Sequence, residues 1–321
     1  MDYGALIGRA WQLTTRHRFL WILGLFATST AGSWPANPAA SVNYNVGRGD
    51  IQQLPPDMAR ALEAIGQWFV SNWATIVAVG LNLFLLFLAW LIVSFIAQGG
   101  MARATLDLAR GRATTLGQAW SAGLHFFWRY LGLWLILIGL GIAVAVVVGA
   151  VFAFGGLLAY AVESLRVVLA ILGAVLLVVA AVAGIVVSVA VTIVVAYAQR
   201  AIVARDLGPW DALVAGVDLL RARLGPSLLL WLINLALGIG AAIVLGVMAV
   251  LLLIPLGGLG AVLWAVGNGF SITLGIYAFL ALLAFIAVLW GVSGAINAFF
   301  WNYWTLAYLQ LTAPPPGMQQ V

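Results

Sequence analysis

The chain has 321 residues, of which 65% are apolar and only 7% are charged, and its net charge is +5 at pH 7. A soluble domain carries roughly a quarter charged residues, so this composition excludes an ordinary soluble protein. Cys is absent, which excludes disulfides, thiolate catalysis and Cys-ligated metals. The apolar residues form tracts that reach the ~20 residues a helix needs to cross a bilayer. The sequence therefore predicts an all-α polytopic membrane helix bundle.

The first segment, Met1 to Arg18, has the pattern of an amphipathic helix. Its polar residues are Asp2, Arg9, Gln12 and Arg16, and its apolar ones are Tyr3, Leu6, Ala10 and Leu13. Phe19 to about Trp34 then forms a short first span. A signal peptide is the alternative, because Ser29 and Ala31 are small residues at a cleavage spacing.

A long polar loop separates the first two predicted spans. Residues 33 to 66 are rich in Pro, Asn, Gly and Gln, and residues 57 to 66 have the pattern of a short helix. The second predicted span runs from Trp68 to Ala97, with Trp68 and Trp73 as interface anchors. Residues 98 to 114 are polar again.

The segment from Thr115 to Tyr130 predicts a second amphipathic helix. Thr115 and Gln118 have the spacing of a capping box, which marks a helix start. One face carries Leu116, Trp120, Leu124, Phe127 and Leu131, and the opposite face carries Gln118, Ser121, His125 and Arg129. We expect this helix to lie on the membrane surface as a separate element.

The next apolar tract, Leu131 to Ala198, has room for two spans, residues 131 to 160 and 167 to 197. Glu163 and Arg166 are expected to pair at the tip between them. Pro209 and Asp211 then suit the start of a third amphipathic helix. Its apolar stripe is Leu213, Val217, Leu220 and Leu224, and Asp218 is spaced to pair with Arg221.

The last third of the chain predicts two more spans. The fifth span runs from Ser227 to about Ile254, and the Gly-rich stretch from Pro255 to Phe270 suggests an interfacial or partly re-entrant loop. Residues 271 to 311 are too long for one hydrocarbon core, so this helix either protrudes or breaks near Gly291 and Gly294. Residues 313 to 321 are expected to be a flexible tail.

These elements suggest a threefold repeat within one membrane domain, residues 1 to 312. The architecture expected is six transmembrane helices in three tandem hairpins, each preceded by a cytoplasmic amphipathic helix, with units of about 1–109, 110–207 and 208–312. Four residues of the second unit align without gaps with four of the third: Ala119, Ala122, Gly123 and Gly132 with Ala212, Ala215, Gly216 and Gly225. The pair Ala97-Gln98 likewise matches Ala198-Gln199 at the unit ends.

The arginines indicate the orientation. Six spans put both termini on one side, and eleven of the fourteen basic residues, all Arg, flank that side: Arg9, Arg16, Arg18, Arg103, Arg110, Arg112, Arg129, Arg200, Arg205, Arg221 and Arg223. The positive-inside rule then places both termini in the cytoplasm of a bacterial inner membrane. Residues expected to contact lipid headgroups are Arg16, Arg18, Arg103, Arg129, Arg221 and Arg223.

Two segments of the sequence resemble uncharacterised bacterial multi-pass proteins. One is Gly117 to Trp134, with the pattern GxAW…RxxxLW, and the other is the ending WTLAY, from Trp304 to Tyr308. These proteins are similar to the membrane domain fused to some glycerophosphodiester phosphodiesterases. In the fused proteins the resemblance places catalysis in a separate soluble domain, so it implies no catalytic residue here.

Few residues in this sequence suggest chemistry. Interhelical hydrogen bonds are expected for the main polar residues inside the apolar tracts, which are Asn82, Ser188, Thr192, Asn234 and Asn297. His17 and His125 are interpreted as interfacial residues rather than metal or porphyrin ligands, and no catalytic, cofactor or metal residue is assigned.

We therefore expect a non-catalytic accessory or scaffolding membrane protein. Its expected partners are membrane lipids and other membrane protein subunits, and nucleic acid is not among them because no dense basic patch is present. A transporter or lipid-handling protein is the alternative, and an enzyme is the third. Small residues four apart, such as Ala145 with Gly149, favour close helix contact within a bundle or with a partner.

Overall fold

The computed structural model describes residues 2–27, 66–162, 166–267 and 272–313, and this part of the chain consists of helices and short connections, with no strand. Residues 1–33 together with 94–321 form one compact unit, and residues 34–93 form another. Besides a helical stretch at residues 66–71, the helices are α1 (Tyr3–Arg16), α2 (Phe19–Phe26), α3 (Trp73–Ala109), α4 (Leu116–Ala161), α5 (Arg166–Arg205), α6 (Pro209–Ala222), α7 (Leu224–Val266) and α8 (Ile272–Thr312).

Five of these helices, α3, α4, α5, α7 and α8, are long and apolar enough to cross a membrane. The shortest is α3, whose 37 residues extend about 55 Å at about 1.5 Å per residue. That length exceeds a hydrocarbon core of roughly 30 Å, so part of each helix projects beyond the core or is strongly tilted. The expected span from Phe19 to Trp34 is described only as far as α2 and Ala27, and the rest of it lies outside the described residues.

The capping box at Thr115 is confirmed, but the separate amphipathic helix after it is not found. The Thr115 hydroxyl accepts from the Gln118 backbone N–H, and the Gln118 side chain accepts from the Thr115 N–H. From Leu116 the helix then continues without a break to Ala161. No proline interrupts it, so the predicted surface helix is the first part of the long helix α4.

The other two amphipathic segments do form separate 14-residue helices, α1 and α6. Asp2 caps α1 through a hydrogen bond from the Ala5 N–H, and α1 ends where His17 leaves helical geometry at ψ 76°. In α6, Pro209 occupies the first turn with Asp211, as predicted, and Arg223 ends the helix at φ −136°. The predicted pairing of Asp218 with Arg221 is wrong, because both are exposed and form no ion pair in the described structure.

The apolar faces expected from the sequence are buried in α1 and partly in α6, but not in α4. In α1, Leu6 and Ala10 are fully buried. In α4 the buried residues of the first turns include Ala119 and Gly123, whereas Leu124 is 53% exposed. In α6 they include Ala212 and Gly216 together with Leu220 of the expected stripe. Small residues allow two helix backbones to approach closely, which large side chains prevent.

We use the name packed end for the region in which the helices pack together; it consists of residues 2–27, 94–133, 193–234 and 294–312. Glycines form its closest helix contacts. A Cβ at Gly216 would lie 2.7 Å from the Val194 carbonyl oxygen on α5, and one at Gly123 would collide with the Ile96 carbonyl oxygen on α3. A Cβ at Gly24 of α2 would likewise collide with the Gly294 carbonyl oxygen on α8.

We call the remaining parts of α4, α5, α7 and α8 the apolar arms. Their most apolar windows have no residue buried against the rest of the protein. Glycines there, such as Gly139, Gly149 and Gly184, have open space around them. The close packing expected at Ala145 with Gly149 therefore does not occur among the described residues.

One loop prediction and one helix end are corrected. The stretch from Pro255 onward is not a loop, since α7 continues through Pro255 to Val266. An apolar segment in lipid must satisfy its backbone internally, which favours a helix despite the glycines. The helix of the second predicted span does not end at Ala97, because α3 continues to Ala109. The last helix, α8, is unbroken at Gly291 and Gly294. Of the two alternatives given by the sequence, the helix therefore protrudes beyond the hydrocarbon core rather than breaking.

In the second unit the described residues are 66–93. Trp68 and Trp73 are 55% and 66% exposed. Asn82 donates its side-chain N–H to the Ala78 carbonyl oxygen of the same helix, at 2.9 Å. The predicted short helix at residues 57–66 lies almost wholly outside the described residues, as do Glu163 and its proposed pairing.

Candidate functional site

Three buried amide side chains join the helices of the packed end. The Gln199 side chain donates to Gln98 Oε1 at 3.3 Å, which connects α5 with α3. Asn302 on α8 donates to the Thr14 hydroxyl at 2.9 Å and accepts from the Thr105 hydroxyl at 2.7 Å. These bonds cross between elements distant in sequence, so they fix how the helices of this end are arranged.

A buried arginine lies in the same core. Arg200 is 1% exposed and donates through Nη1 to the Ala196 carbonyl and to Gln199 Oε1, at 2.9 and 3.1 Å. Its guanidinium carbon is 4.2 Å from the ring centroid of Trp301, a cation–π contact. No carboxylate among the described residues pairs with it, and its Nε has no hydrogen-bond partner there.

A polar cleft of about 880 Å³ lies between the C-terminal parts of α3 and α5 and the first turns of α4. All of its lining residues belong to the first unit. They are Arg103, Asp107, Arg112, Ala113, Thr114, Gln118, Ser121, Ala122, His125, Phe126, Val203, Ala204, Arg205 and Asp206.

Ion pairs organise the walls of this cleft. Arg103 donates from Nε to Asp107 Oδ2 at 2.9 Å, one helical turn away on α3. Arg112 Nη1 lies 3.9 Å from the other oxygen of Asp107. Arg205 forms no ion pair within the described residues. Three arginines and two aspartates therefore line the cleft, which leaves it with positive charge.

The far wall of the cleft is fixed by Arg129, which donates to Asp206. This hydrogen bond lowers the pKa of the Asp206 carboxyl below its ordinary value, and the charge of Arg129 acts in the same direction. Asp206 follows the last residue of α5 and has a φ of +57°, the left-handed conformation common after a helix end. The ion pair connects this turn to α4.

The polar face predicted for the segment Thr115 to Tyr130 faces this cleft. Gln118, Ser121 and His125 line it, and Arg129 forms the ion pair beside it. Of the arginines expected to contact headgroups, Arg103 lines the cleft, whereas Arg16, Arg18, Arg221 and Arg223 are exposed elsewhere on the packed end. Lipid contact by any of them remains a prediction.

The three intramembrane asparagines do not meet in one place. Asn234 accepts from the indole N–H of Trp304 at 3.0 Å inside the packed end, and Asn297 is half-buried on α8. Asn82 bonds within its own helix. None of them lines the polar cleft, nor an apolar notch of about 350 Å³ between α7 and α8.

The histidines are surrounded by aromatic rings. The His17 ring lies 6.1 Å from the Phe19 ring and the His125 ring 4.9 Å from that of Phe126, both in edge-on geometry. Among the described residues there is no group of three His, Asp or Glu side chains that could hold a metal ion.

Sequence reasoning did not identify the buried core or most of the cleft. Gln98 and Gln199 were noted only as a repeat match, and Arg200 was counted among the surface arginines. The amides had a signal, because polar side chains next to an apolar tract at similar positions of two units suggest a shared role. Burial of Arg200 had no such signal, since its neighbours in sequence include both apolar and charged residues.

Five long apolar helices and an all-helical described structure define the class: this is a multi-pass α-helical integral membrane protein. A model of a family of unknown function, DUF7544, matches residues 15–315, so the chain belongs to that family. Neither the curated proteins nor the solved structures include a match to the chain. The family match provides no link to glycerophosphodiester phosphodiesterases, and that resemblance remains a prediction.

Proposed function

We propose that this protein is a non-catalytic accessory protein of the bacterial cytoplasmic membrane, which binds anionic lipids through its packed end. One observation carries the proposal: each of the three amphipathic segments presents an exposed tryptophan. Trp11, Trp128 and Trp210 are 60%, 74% and 63% exposed. Tryptophans favour the membrane–water interface, where their apolar rings and N–H groups are both accommodated.

The arginines support the same placement. All eleven that the sequence assigns to the cytoplasmic side lie within the packed end, where Arg200 is buried and the other ten are at least partly exposed. A guanidinium pairs with phosphate through two parallel hydrogen bonds, and a headgroup layer rich in phosphate suits such a surface. We infer that the packed end lies at the cytoplasmic headgroups, with both termini in the cytoplasm and six spans in total.

The absence of Cys gives a clean test of this topology. Gln12 is exposed on α1, and Val162 follows the far end of α4. In the single variants Gln12→Cys and Val162→Cys, a membrane-impermeant thiol reagent should label the first only from the cytoplasm and the second only from outside. Labelling of both positions from one side would contradict the proposed orientation.

Lipid binding is tested by retention of phosphatidylglycerol on the purified full chain, measured by native mass spectrometry. The exposed pair Arg16 and Arg221 lies outside the polar cleft, so Arg16→Gln with Arg221→Gln should lower the number of retained anionic lipids. Gln12→Ala, on the same face of α1 as Arg16, is the neutral control. Equal retention of phosphatidylglycerol and phosphatidylcholine by the unchanged protein would count against the proposal.

The scaffolding part of the proposal concerns the apolar arms. Their glycines lie in open space, and membrane helices approach each other closely at small residues. We expect other membrane protein subunits to pack there. A chain that remains a solitary monomer in lipid nanodiscs at all protein concentrations contradicts this part.

The repeat stays a proposal that two sets of residues support. Ala119 and Gly123 are buried against α3, and the residues aligned with them, Ala212 and Gly216, are buried in α6. Gln98 and Gln199, which are hydrogen-bonded, lie 101 residues apart, and the buried Asn302 follows Gln199 at the similar distance of 103 residues. Three related hairpins would place their amides in this way.

Lipid handling is the second candidate, and the polar cleft is the observation that favours it. A volume of about 880 Å³ is large enough for a lipid headgroup. A fluorescent phospholipid in proteoliposomes should then cross between leaflets faster with the protein than without it. Transport of a solute along the three asparagines has no such support, because they line neither cavity.

A further inference from the structure

The polar cleft has a charge arrangement that surface contact with lipids does not require. We propose that it is a binding site for a phosphate-bearing anion, held chiefly by Arg112 and Arg205. The inference goes beyond the surface contacts proposed above. It depends on them in one respect only, which is that a lipid ligand would reach the cleft from the headgroup layer beside the packed end. Its evidence is the partnering of each charged group in the cleft.

Both carboxylates of the cleft are already neutralised by arginines. Asp107 accepts the hydrogen bond of Arg103, and Asp206 accepts that of Arg129. The lowered pKa of Asp206 keeps its carboxylate ionised and paired. Neither aspartate is therefore a free negative charge that would repel an anion at full strength.

The remaining arginines are the surplus positive charge. Arg205 is exposed and pairs with no carboxylate within the described residues. The side chain of Arg112 is 65% exposed and lies 3.9 Å from Asp107, beyond hydrogen-bond distance. Two guanidinium groups with available donors on one cleft suit an anion with several oxygens, since each can form a bidentate contact with phosphate.

Arg103 is a positioning residue in this arrangement. It uses only Nε toward Asp107, so its two terminal nitrogens have no hydrogen-bond partner among the described residues. The ion pair with Asp107 fixes the guanidinium on the wall of the cleft. A pre-positioned donor loses less conformational freedom when a ligand binds.

Neutral donors complete the lining. Thr114, Gln118, Ser121 and His125 follow one another along the polar face at the start of α4. Hydroxyl, amide and imidazole N–H groups can each donate to a phosphate oxygen. The apolar face of the same helix carries Leu124 and Trp128, which are 53% and 74% exposed. Phosphate chemistry on one face and lipid tails on the other would suit a helix at the headgroup level.

The shared chemistry is a phosphate group, whose source is either a phospholipid headgroup or free phosphate. The test uses the purified full chain with the double variant Arg112→Gln, Arg205→Gln. Arg110→Gln is the matched control, because Arg110 is exposed, two residues from Arg112, and outside the cleft lining. Circular dichroism and gel filtration should first show that both variants keep the helical fold.

Two probes separate the sources. Inorganic phosphate is titrated by isothermal calorimetry in a neutral detergent, and retention of phosphatidylglycerol against phosphatidylcholine is measured after release from nanodiscs. We expect the double variant to weaken binding of the true ligand about tenfold or more, and the control to leave it within about twofold. Binding should also fall with rising salt, because the contact is ionic.

The outcomes are distinct. Loss of phosphatidylglycerol retention alone identifies a lipid headgroup, and loss of inorganic phosphate binding identifies free phosphate. If neither probe distinguishes the double variant from Arg110→Gln, the cleft site is overturned even when the variants at Arg16 and Arg221 still reduce lipid retention. The cleft and the surface proposal can therefore fail separately.

A gain-of-function variant keeps the proposal falsifiable if the double variant is unstable. Ser121 is exposed and lines the cleft, and Ser121→Lys adds a cation there without removing a contact of the core. We expect this variant to bind the ligand several-fold more tightly. Unchanged or weaker binding by the folded Ser121→Lys variant would overturn the proposal.

Discussion

The packed end and the apolar arms are parts of the same helices, but they differ in almost every physical respect. In the packed end, Tyr303 and Trp304 are fully buried, and the Tyr303 hydroxyl and the Trp304 indole N–H donate hydrogen bonds from α8 to α7. In the arms the apolar side chains have large exposed fractions, for example 61% at Phe279.

This difference shows where the sequence encodes a specific structure. Lipid can surround the arms, whose Val, Leu and Ile side chains need no particular neighbour. The packed end instead depends on shapes and hydrogen-bond partners that only certain residues provide. Substitutions should therefore have large effects on stability in the packed end and small effects in the arms, and the matched pairs below test this contrast.

The largest difference is expected between two tryptophans of α8. Trp304 is fully buried and donates to Asn234, whereas Trp290 is 53% exposed. Trp304→Ala should lower the free energy of unfolding by about 3–5 kcal/mol, because it leaves a cavity and removes the donor to Asn234 Oδ1. Trp290→Ala should lower it much less. Reversible unfolding in bicelles measures the free energy of unfolding of both variants. Equal losses of this free energy would contradict the contrast between the packed end and the apolar arms.

The second largest difference in stability is expected between two glycines of α4. A methyl group at Gly123 collides with the Ile96 carbonyl, while Gly139 has open space. Gly123→Ala should cost about 1–3 kcal/mol of unfolding free energy, since the helix backbones must move apart. Gly139→Ala should be neutral or stabilising by up to about 1 kcal/mol, because alanine restricts the unfolded chain. A stabilised Gly123→Ala variant would show that the close approach to α3 is not required.

Two asparagines give a similar contrast. Asn302 connects Thr14 and Thr105 inside the packed end, whereas Asn82 bonds only its own helix. Asn302→Leu should cost about 1–3 kcal/mol because two buried hydroxyls lose a partner. Asn82→Leu should change stability by less than about 1 kcal/mol, in either direction. The same bicelle assay compares them, and a larger loss at Asn82 would contradict the contrast.

The smallest effect is expected at the ion pair of Arg129 with Asp206. Asp206→Asn keeps a residue that tolerates the positive φ but removes the charge. Because the folded pKa of Asp206 is lowered, its contribution is fully present above the unfolded value of about 3.9 and is lost as pH falls through the folded pKa. Melting temperatures should differ slightly at pH 7 and coincide at low pH. A difference in melting temperature that grows on acidification would contradict the lowered pKa of Asp206.

Much of the fold could be predicted from the sequence. Tract lengths gave the long helices, and local chemistry gave the capping box at Thr115 and the helix start at Pro209, because both depend on residues adjacent in the chain. The unbroken course of α7 through Pro255 was missed, since glycine and proline normally indicate loops in water. In lipid the need to satisfy the backbone overrides that tendency.

The site was less predictable because it depends on contacts between distant segments. The polar face at Gln118, Ser121 and His125 was read from periodicity, and it lines the cleft. Arg129 was expected to meet phosphate, but it forms a pair with Asp206, which lies 77 residues away. Periodicity identifies a polar face and does not identify what that face meets.

The continuity of α4 has a mechanical consequence. Its 46 residues form a rod of about 69 Å at about 1.5 Å per residue. The first turns of that rod form one wall of the cleft, and its far end reaches Ala161. A small tilt of the helix at the cleft would therefore displace the opposite end by a larger distance, so the continuity of α4 couples the wall of the cleft mechanically to the far end of the same helix.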